Sequence, residues 1–355
     1  MSFLSGRIPR GILGVSVVLL GTFLTACGGG GGGGGAPVII PPPPKFTALM
    51  PVLTSGRAAH TGTLLNDGKV LLAGGFSSTT FPAAALNTAE LYDPVANTFT
   101  ALTSRMRSAR TDHAATRLVD GRILLTGGQS NNNNGDGTNT AELFDPATQT
   151  FTSVTAPMAS PRGAHASVLL GTGRVLIMGG YNNSSISLDT AELFDPSTQT
   201  FTALTSRMAA GRAALDATPL ANGMILLTGG SSSRNVFDTA ELFDPATQSF
   251  TAISATMTAI REGHGSSRLA NGSVLVSGGG ILGSNPPSAL AALNTAELFD
   301  PSTQRFSAIS DRMSAPRMAH TQTTLSSGSV LLTGGAYLNS GGSLVILNTA
   351  ETFTP

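Results

Sequence analysis

Residues 57–75, RAAHTGTLLNDGKVLLAGG, and residues 88–99, TAELYDPVANTF, decide the architecture, because variants of this cassette occur six times along the chain. A copy runs Arg, Gly-Gly, Thr-Ala-Glu, Asp-Pro, Phe. Arg and the first Gly stand 17 positions apart at Arg57/Gly74, Arg110/Gly127, Arg162/Gly179, Arg212/Gly229, Arg261/Gly278 and Arg317/Gly334. Glu and Phe stand 9 apart at Glu90/Phe99, Glu142/Phe151, Glu192/Phe201, Glu241/Phe250 and Glu297/Phe306, and each Phe precedes the next Arg by 11. Only the stretch from the first Gly to the Glu varies, through 16, 15, 13, 12, 19 and 17 positions. A period near 50 residues defines a repeat architecture whose units bury their apolar faces against neighbours. The fixed segments are scaffold, and the variable segment is a loop free to differ.

One cassette reads as four strands. Thr61, Thr63 and Leu65 alternate along a half-buried first strand. Asn66-Asp67-Gly68 makes a tight turn into the apolar run Lys69 to Ala73, which Gly74-Gly75 ends. Thr88 to Tyr92 forms a third strand, closed by a type I turn at Asp93-Pro94, and Asn97 to Leu102 a fourth, centred on Phe99. No segment longer than ten residues has helical periodicity. Six such units predict an all-β, six-bladed β-propeller over residues 46–355. Phe46-Thr47-Ala48-Leu49 matches a fourth strand, whereas Glu351 to Pro355 stops at the end of a third. The N-terminal strand is therefore expected to complete the sixth blade and close the ring.

With these residues in view, the cassette resembles the Kelch repeat: a diglycine after the second strand, an acid and an aromatic on the third, an aromatic on the fourth. It departs in having no Trp; Phe99, Phe151, Phe201, Phe250 and Phe306 stand where Kelch repeats usually carry it. The resemblance implies that the second-to-third-strand loops and the inter-blade connections share one face, where Kelch domains usually bind. Those loops run over residues 76–87, 129–139, 181–189, 231–238, 280–294 and 336–348, and are rich in Asn, Ser, Gly and Thr. Two related propellers are enzymes. Galactose oxidase needs a Tyr–Cys crosslink, excluded here by the absence of Cys from residues 46–355. A periplasmic sialic-acid mutarotase needs only Arg and acidic groups, and stays open as an alternative beside a purely structural envelope role. The preferred expectation is a non-catalytic binding module for a protein or glycan.

The first residues read as targeting. Arg7 and Arg10 precede an apolar stretch from Gly11 to Leu24, and Leu24-Thr25-Ala26-Cys27 supplies small residues for cleavage. This pattern resembles the lipobox of bacterial lipoproteins: residues 1–26 a signal peptide, Cys27, the chain's one cysteine, the lipidated N-terminus. Gly28 after the Cys favours, by the same resemblance, an outer-membrane destination, facing the periplasm or the surface. Residues 27–45 form a tether with an unbroken glycine run, Gly28 to Gly35, and a proline run, Pro41 to Pro44. Fully extended, the 17 residues from Gly28 to Pro44 reach roughly 55 to 60 Å.

Loss of Arg7 and Arg10 leaves 18 basic against 20 acidic side chains, a net charge of −2 with no basic stripe, so nucleic acid is not an expected partner. No P-loop or dinucleotide fingerprint is present, and no cofactor, metal or second copy of the chain is implied. The six repeated arginines (Arg57, Arg110, Arg162, Arg212, Arg261, Arg317) match in number the six repeated glutamates (Glu90, Glu142, Glu192, Glu241, Glu297, Glu351). Equal numbers predict structural pairing, either within a blade or across to the next. All five histidines follow such an Arg by three positions (His60, His113, His165, His264, His320), with Leu215 in the fourth copy. Placed on different blades, they are expected to spread around the ring as packing residues, not to converge on a metal. Met106, Met158, Met208, Met257 and Met313 read as filler between blades. Candidate binding residues break the repeat: Asp112 stands alone against Ala59, Ala164, Ala214, Gly263 and Ala319. Asp216 and Glu262 are likewise unique in their slots, predicting a lopsided acidic mouth, with Arg234 and Tyr181 from the variable loops beside it.

Overall fold

The computed structural model describes residues 43–355 apart from 51, 80–83, 131–136, 185, 234 and 282–290. Six four-stranded antiparallel sheets form the blades of a six-bladed propeller, and no described residue is helical. The first blade shows the pattern: Thr61–Leu64, Val70–Ala73, Ala89–Asp93 and Thr98–Ala101 hydrogen-bond in that order. The second strand is buried along its whole length, as its unbroken apolar sequence requires. The innermost strands, Thr61–Leu64, Ala114–Arg117, Ala166–Leu169, Asp216–Pro219, Glu262–Arg268 and Thr321–Thr324, touch one another in a closed ring around a central channel.

The sixth blade is assembled from both ends of the described chain. Lys45–Ala48 pairs antiparallel with Ala350–Thr354, Phe46 opposite Phe353. Their rings pack at 4.9 Å between centroids, the geometry that every other blade makes between its third and fourth strands, as in Phe144/Phe151 at 4.7 Å. The Phe that stands where a Trp is usual is therefore half of a tilted aromatic pair in every blade.

The core lies between blades. Each of six apolar clusters joins two neighbours, and one slot per junction is filled by Met106, Met158, Met208, Met257 or Met313. Leu53, seven residues after Phe46, fills the sixth, between the last blade and the first. The described parts of two variable loops add strand pairing to the blades. The fifth blade's second strand continues as Val274–Ile281 to pair with Ala291–Ala292, and the sixth loop folds into the hairpin Ala336–Leu338 with Leu344–Ile346.

Candidate functional site: the mouth of the central channel

The repeated arginines are consumed by the scaffold, and the pairing is within the blade rather than across to the next. Arg57 meets Glu90, Arg110 meets Glu142, Arg162 meets Glu192, Arg212 meets Glu241, Arg261 meets Glu297 and Arg317 meets Glu351, all at 2.7 to 3.0 Å. Both side chains of every pair are almost fully buried, so none of these twelve charges faces a ligand. In the third blade Arg162 donates to Glu192 Oε1 (2.8 Å), to the Gly179 and Thr190 carbonyls (2.8 and 3.1 Å) and to Thr190 Oγ1 (3.0 Å). The second carboxylate oxygen holds the connection that enters the blade. Glu192 Oε2 accepts the Ala159 N–H at 2.8 Å, Glu142 Oε2 that of Arg107 at 2.7 Å, and Glu241 Oε2 that of Ala209 at 3.0 Å. One ion pair thus pins the second strand, the third strand and the entering connection together. The diglycine locks the blade to the next. A side chain on Gly74 would place its Cβ 2.5 Å from the Arg110 carbonyl oxygen and 2.7 Å from His113 Cε1, and Gly75 N–H donates to that same carbonyl at 2.8 Å.

Two residues after the repeated Arg, each blade contributes one residue with left-handed backbone: Ala59, Asp112, Ala164, Ala214, Gly263 and Ala319, at φ of 51 to 59°. Five of the six are not glycine, a conformation that costs of order 1–3 kcal/mol each and persists only where surroundings impose it. Here the imposing structure is a closed circle of hydrogen bonds. Asp112 N–H donates to Ala59 O (3.0 Å), Ala164 to Asp112 O (2.7 Å), and so on through Ala214, Gly263 and Ala319 back to Ala59 (2.8 Å). The circle surrounds a cavity of about 450 Å³ at the end of the channel where the variable loops begin, with Phe76, Ala336 and Leu344 among its walls.

The histidines line this cavity too. They stand on separate blades, as the repeat dictates, but the ring is narrow enough at this radius that the set meets one space rather than being dispersed. Each turns Nε2 into the joint with a neighbouring blade: His60 to Thr333 Oγ1 (3.1 Å), His165 to Thr126 (2.8 Å), His264 to Thr228 (2.8 Å) and His320 to Ser277 Oγ (3.4 Å). At the second joint Ala73 replaces the hydroxyl residue, and His113 takes Thr61 Oγ1 (3.0 Å) from the strand facing Ala73. At the fourth joint Met178 stands in that slot and Leu215 replaces His, both in one apolar cluster. The exchange of His for Leu thus accompanies exchange of its hydroxyl partner for Met. Burial first, and the neighbouring Arg second, hold His60, His113, His165 and His264 at a pKa of about 3, so they are neutral. Among the described residues no three His, Cys, Asp or Glu side chains are grouped to hold a metal.

The three acids singled out by sequence are not gathered at one solvated mouth. Glu262 is 3% exposed and takes the hydroxyl of Ser231. Asp216 begins an innermost strand and accepts the N–H of Ser266 on the next blade at 2.6 Å and that of Ala217 at 2.7 Å. Asp112 alone lines the cavity, and desolvation raises its pKa to about 6. Tyr181 stands outside the cavity wall but within reach of Asp112's charge: its hydroxyl bonds to Gln129, and its proton is held more tightly by burial and by the charge of Asp112. Its ring lies over Gly163, where a Cβ would fall 2.6 Å from Cζ, so a glycine in that slot makes room for the aromatic. Arg234 and Cys27 lie outside the described residues.

A closed ring of six four-stranded blades, with its variable loops around a narrow axial cavity, defines a β-propeller whose scaffold is separate from its mouth. Residues 113–335 match the model of the KLHDC2/KLHL20/DRC7 Kelch-repeats domain, and residues 57–106 match the Kelch motif. The first match spans more than half of the chain, and the protein belongs to the Kelch-repeat family of β-propellers, a fold commonly used as a protein-binding module. The solved structure of YjhT superposes with a TM-score of 0.70 at 17% identity, over 84% of this chain and 95% of that one, a likeness of fold. No curated protein matches the chain.

Proposed function

We propose that the protein is a non-catalytic binding module, held in the bacterial cell envelope by lipid on Cys27 and carried on the tether of residues 27–45. It engages a protein or glycan through the loop-bearing face; an outer-membrane location accords with Gly28. The observation that carries this reading is the division of labour among polar residues. All six Arg–Glu pairs serve the scaffold, whereas the slot after the diglycine, beside the mouth, differs in every blade: Phe76, Gln129, Tyr181, Ser231, Gly280 and Ala336. Uniform blades hold a non-uniform face, the arrangement expected when selection acts on recognition. A glycan and envelope-protein array probed with the purified protein tests it. A saturable hit weakened by Tyr181→Ala supports the module, and a blank array moves weight to a structural envelope role.

A second reading, a carbohydrate-active enzyme of the mutarotase type, is favoured by one feature. Asp112, with a pKa near 6 in a cavity, is suited to proton transfer around neutral pH. Anomer exchange of candidate sugars followed by NMR, with Asp112→Asn as control, decides it; no acceleration removes the enzyme reading.

A further inference from the structure

Asp112 is the anomaly of the cavity. The six repeated Glu carboxylates each meet an Arg, Asp216 accepts two backbone N–H groups, and Glu262 accepts the Ser231 hydroxyl. No described residue donates a hydrogen bond to the Asp112 carboxylate, and no described cation pairs with it. The rest of the wall is apolar, bonded to itself, or shielded: the Nδ1 atom of each lining histidine has no partner but is closed off from water. Its circle of backbone N–H and C=O groups is bonded to itself, its histidines are neutral and joined to hydroxyls across the blades, and the remaining surface includes Phe76, Leu215, Met318 and Leu344. A half-buried carboxylate without a partner in an apolar-walled cavity is poorly solvated, and a ligand that supplies a counter-ion gains what the protein lacks.

The chemistry of the walls selects among ligands. An anion is repelled by Asp112. A sugar brings several hydroxyls to a wall with few free partners, and leaving them dry is expensive. Calcium or magnesium requires six or more oxygen ligands where one carboxylate is available. A monovalent ammonium on an aliphatic stem fits best: one charge for one carboxylate, methylenes for the apolar wall, and three N–H donors to be shared between the two carboxylate oxygens and water at the open mouth.

We propose that the mouth of the channel binds one alkylammonium group, either a lysine side chain of a partner or a free aliphatic amine, with Asp112 as its counter-ion and Phe76, Met318 and Leu344 around its stem. The inference deepens the binding-module reading and rests on it for its biological meaning. Its test does not depend on finding the partner. Full-length protein is titrated at pH 7.5 with n-pentylamine, n-pentanol as the neutral counterpart, and Nα-acetyl-lysine amide, by calorimetry and by thermal shift. The amine should bind at least about tenfold more tightly than the alcohol, the weight of one hydrogen bond to a charged group. Asp112→Asn and Asp112→Ala should abolish that preference. Asp112→Ala reproduces the residue of four other blades and is expected to melt no lower than the wild type. Binding of the lysine amide as well as pentylamine assigns the site to a partner's side chain, and binding of pentylamine alone assigns it to a free amine. Equal binding of amine and alcohol, survival of the preference in Asp112→Ala, or no stabilisation by the amine at about 50 mM would overturn the proposal. A protein that finds a partner on the array yet ignores amines is still a binding module with a different mouth; one that takes amines with a blank array has the mouth but not that partner.

Discussion

At the residue scale, the same Arg does six identical jobs. The guanidinium fork reaches a carboxylate, two carbonyls and a threonine hydroxyl in one plane, a geometry that lysine cannot supply. Because Arg162 and Glu192 are almost wholly shielded from water, the pair is fragile to the loss of either member rather than intrinsically strong. Glu192→Ala leaves a buried cation against the Gly179 carbonyl and removes the acceptor of the Ala159 N–H. The expected loss is about 3–5 kcal/mol in urea unfolding. Replacing both, as Arg162→Met with Glu192→Leu, should recover a large part of it, since no charge is then stranded. A double variant as unstable as Glu192→Ala would mean that the fork's backbone contacts, not the charge pairing, hold the blade.

At the element scale, closure depends on four residues. Lys45–Ala48 supplies the sixth blade's outer strand, and Phe46, 7% exposed, packs on Phe353. Without it, the Ala350–Thr354 strand becomes an uncovered edge and the junction around Leu269, Met313 and Val330 loses an aromatic wall. Deleting residues 45–50 should sharply lower the melting temperature, and Phe46→Ala alone should cost about 3–5 kcal/mol; an unchanged melt would mean the ring holds without its closing strand. This closure was legible because a fourth strand without its blade stood at one end of the repeat and a blade without its fourth strand at the other. The Arg–Glu pairing was legible from matching numbers, but whether Glu142 and Glu241 serve their own blade or the next was not, because the period is the same either way. The hairpin Ala336–Leu338 with Leu344–Ile346 was hidden too, since the variable loops offer no second copy for comparison. Asp112 was legible as an exception in its slot, but the period fixes a residue's place along a blade and not its distance from the axis. So the meeting of the histidines around one cavity, and the separation of Asp112 from Asp216 and Glu262, required the structure. The pairing of Leu215 with Met178 was written in the sequence: the two slots change together, but only the cross-blade contact shows that they are partners.

At the scale of the whole molecule, the channel makes stability depend on pH. His60, His113, His165 and His264 have pKa values of about 3 in the fold against 6.5 unfolded, chiefly through burial, and His320 is also held well below 6.5. Above pH 6.5 both states are neutral at these positions and the shift contributes nothing. Below it the unfolded chain takes up protons that the fold refuses, so stability falls as pH drops, down to about pH 3. The groups that face these rings include Arg57, Arg110, Arg162, Arg261 and Arg317, all cationic throughout, and neighbouring histidines, so no partner rescues the protonated form. Asp112 and Asp216 act in the opposite sense. Raised to about 6 from 3.8 by desolvation, they take up protons in the fold first, which favours it between those values. Five histidines outweigh two aspartates, and unfolding near pH 5 should absorb a net of roughly three protons, each worth about 1.4 kcal/mol per pH unit. Urea midpoints should therefore fall steadily from pH 7 to pH 4. The molecule supplies its own control at the joint where Met178 meets Leu215. Thr126→Met with His165→Leu copies that joint between the second and third blades, removing one titrating ring and its hydroxyl partner together. Its slope of stability against pH should be shallower by one proton, with little change at pH 8. A double variant whose slope equals that of the wild type would show that His165 carries no share of the acid sensitivity.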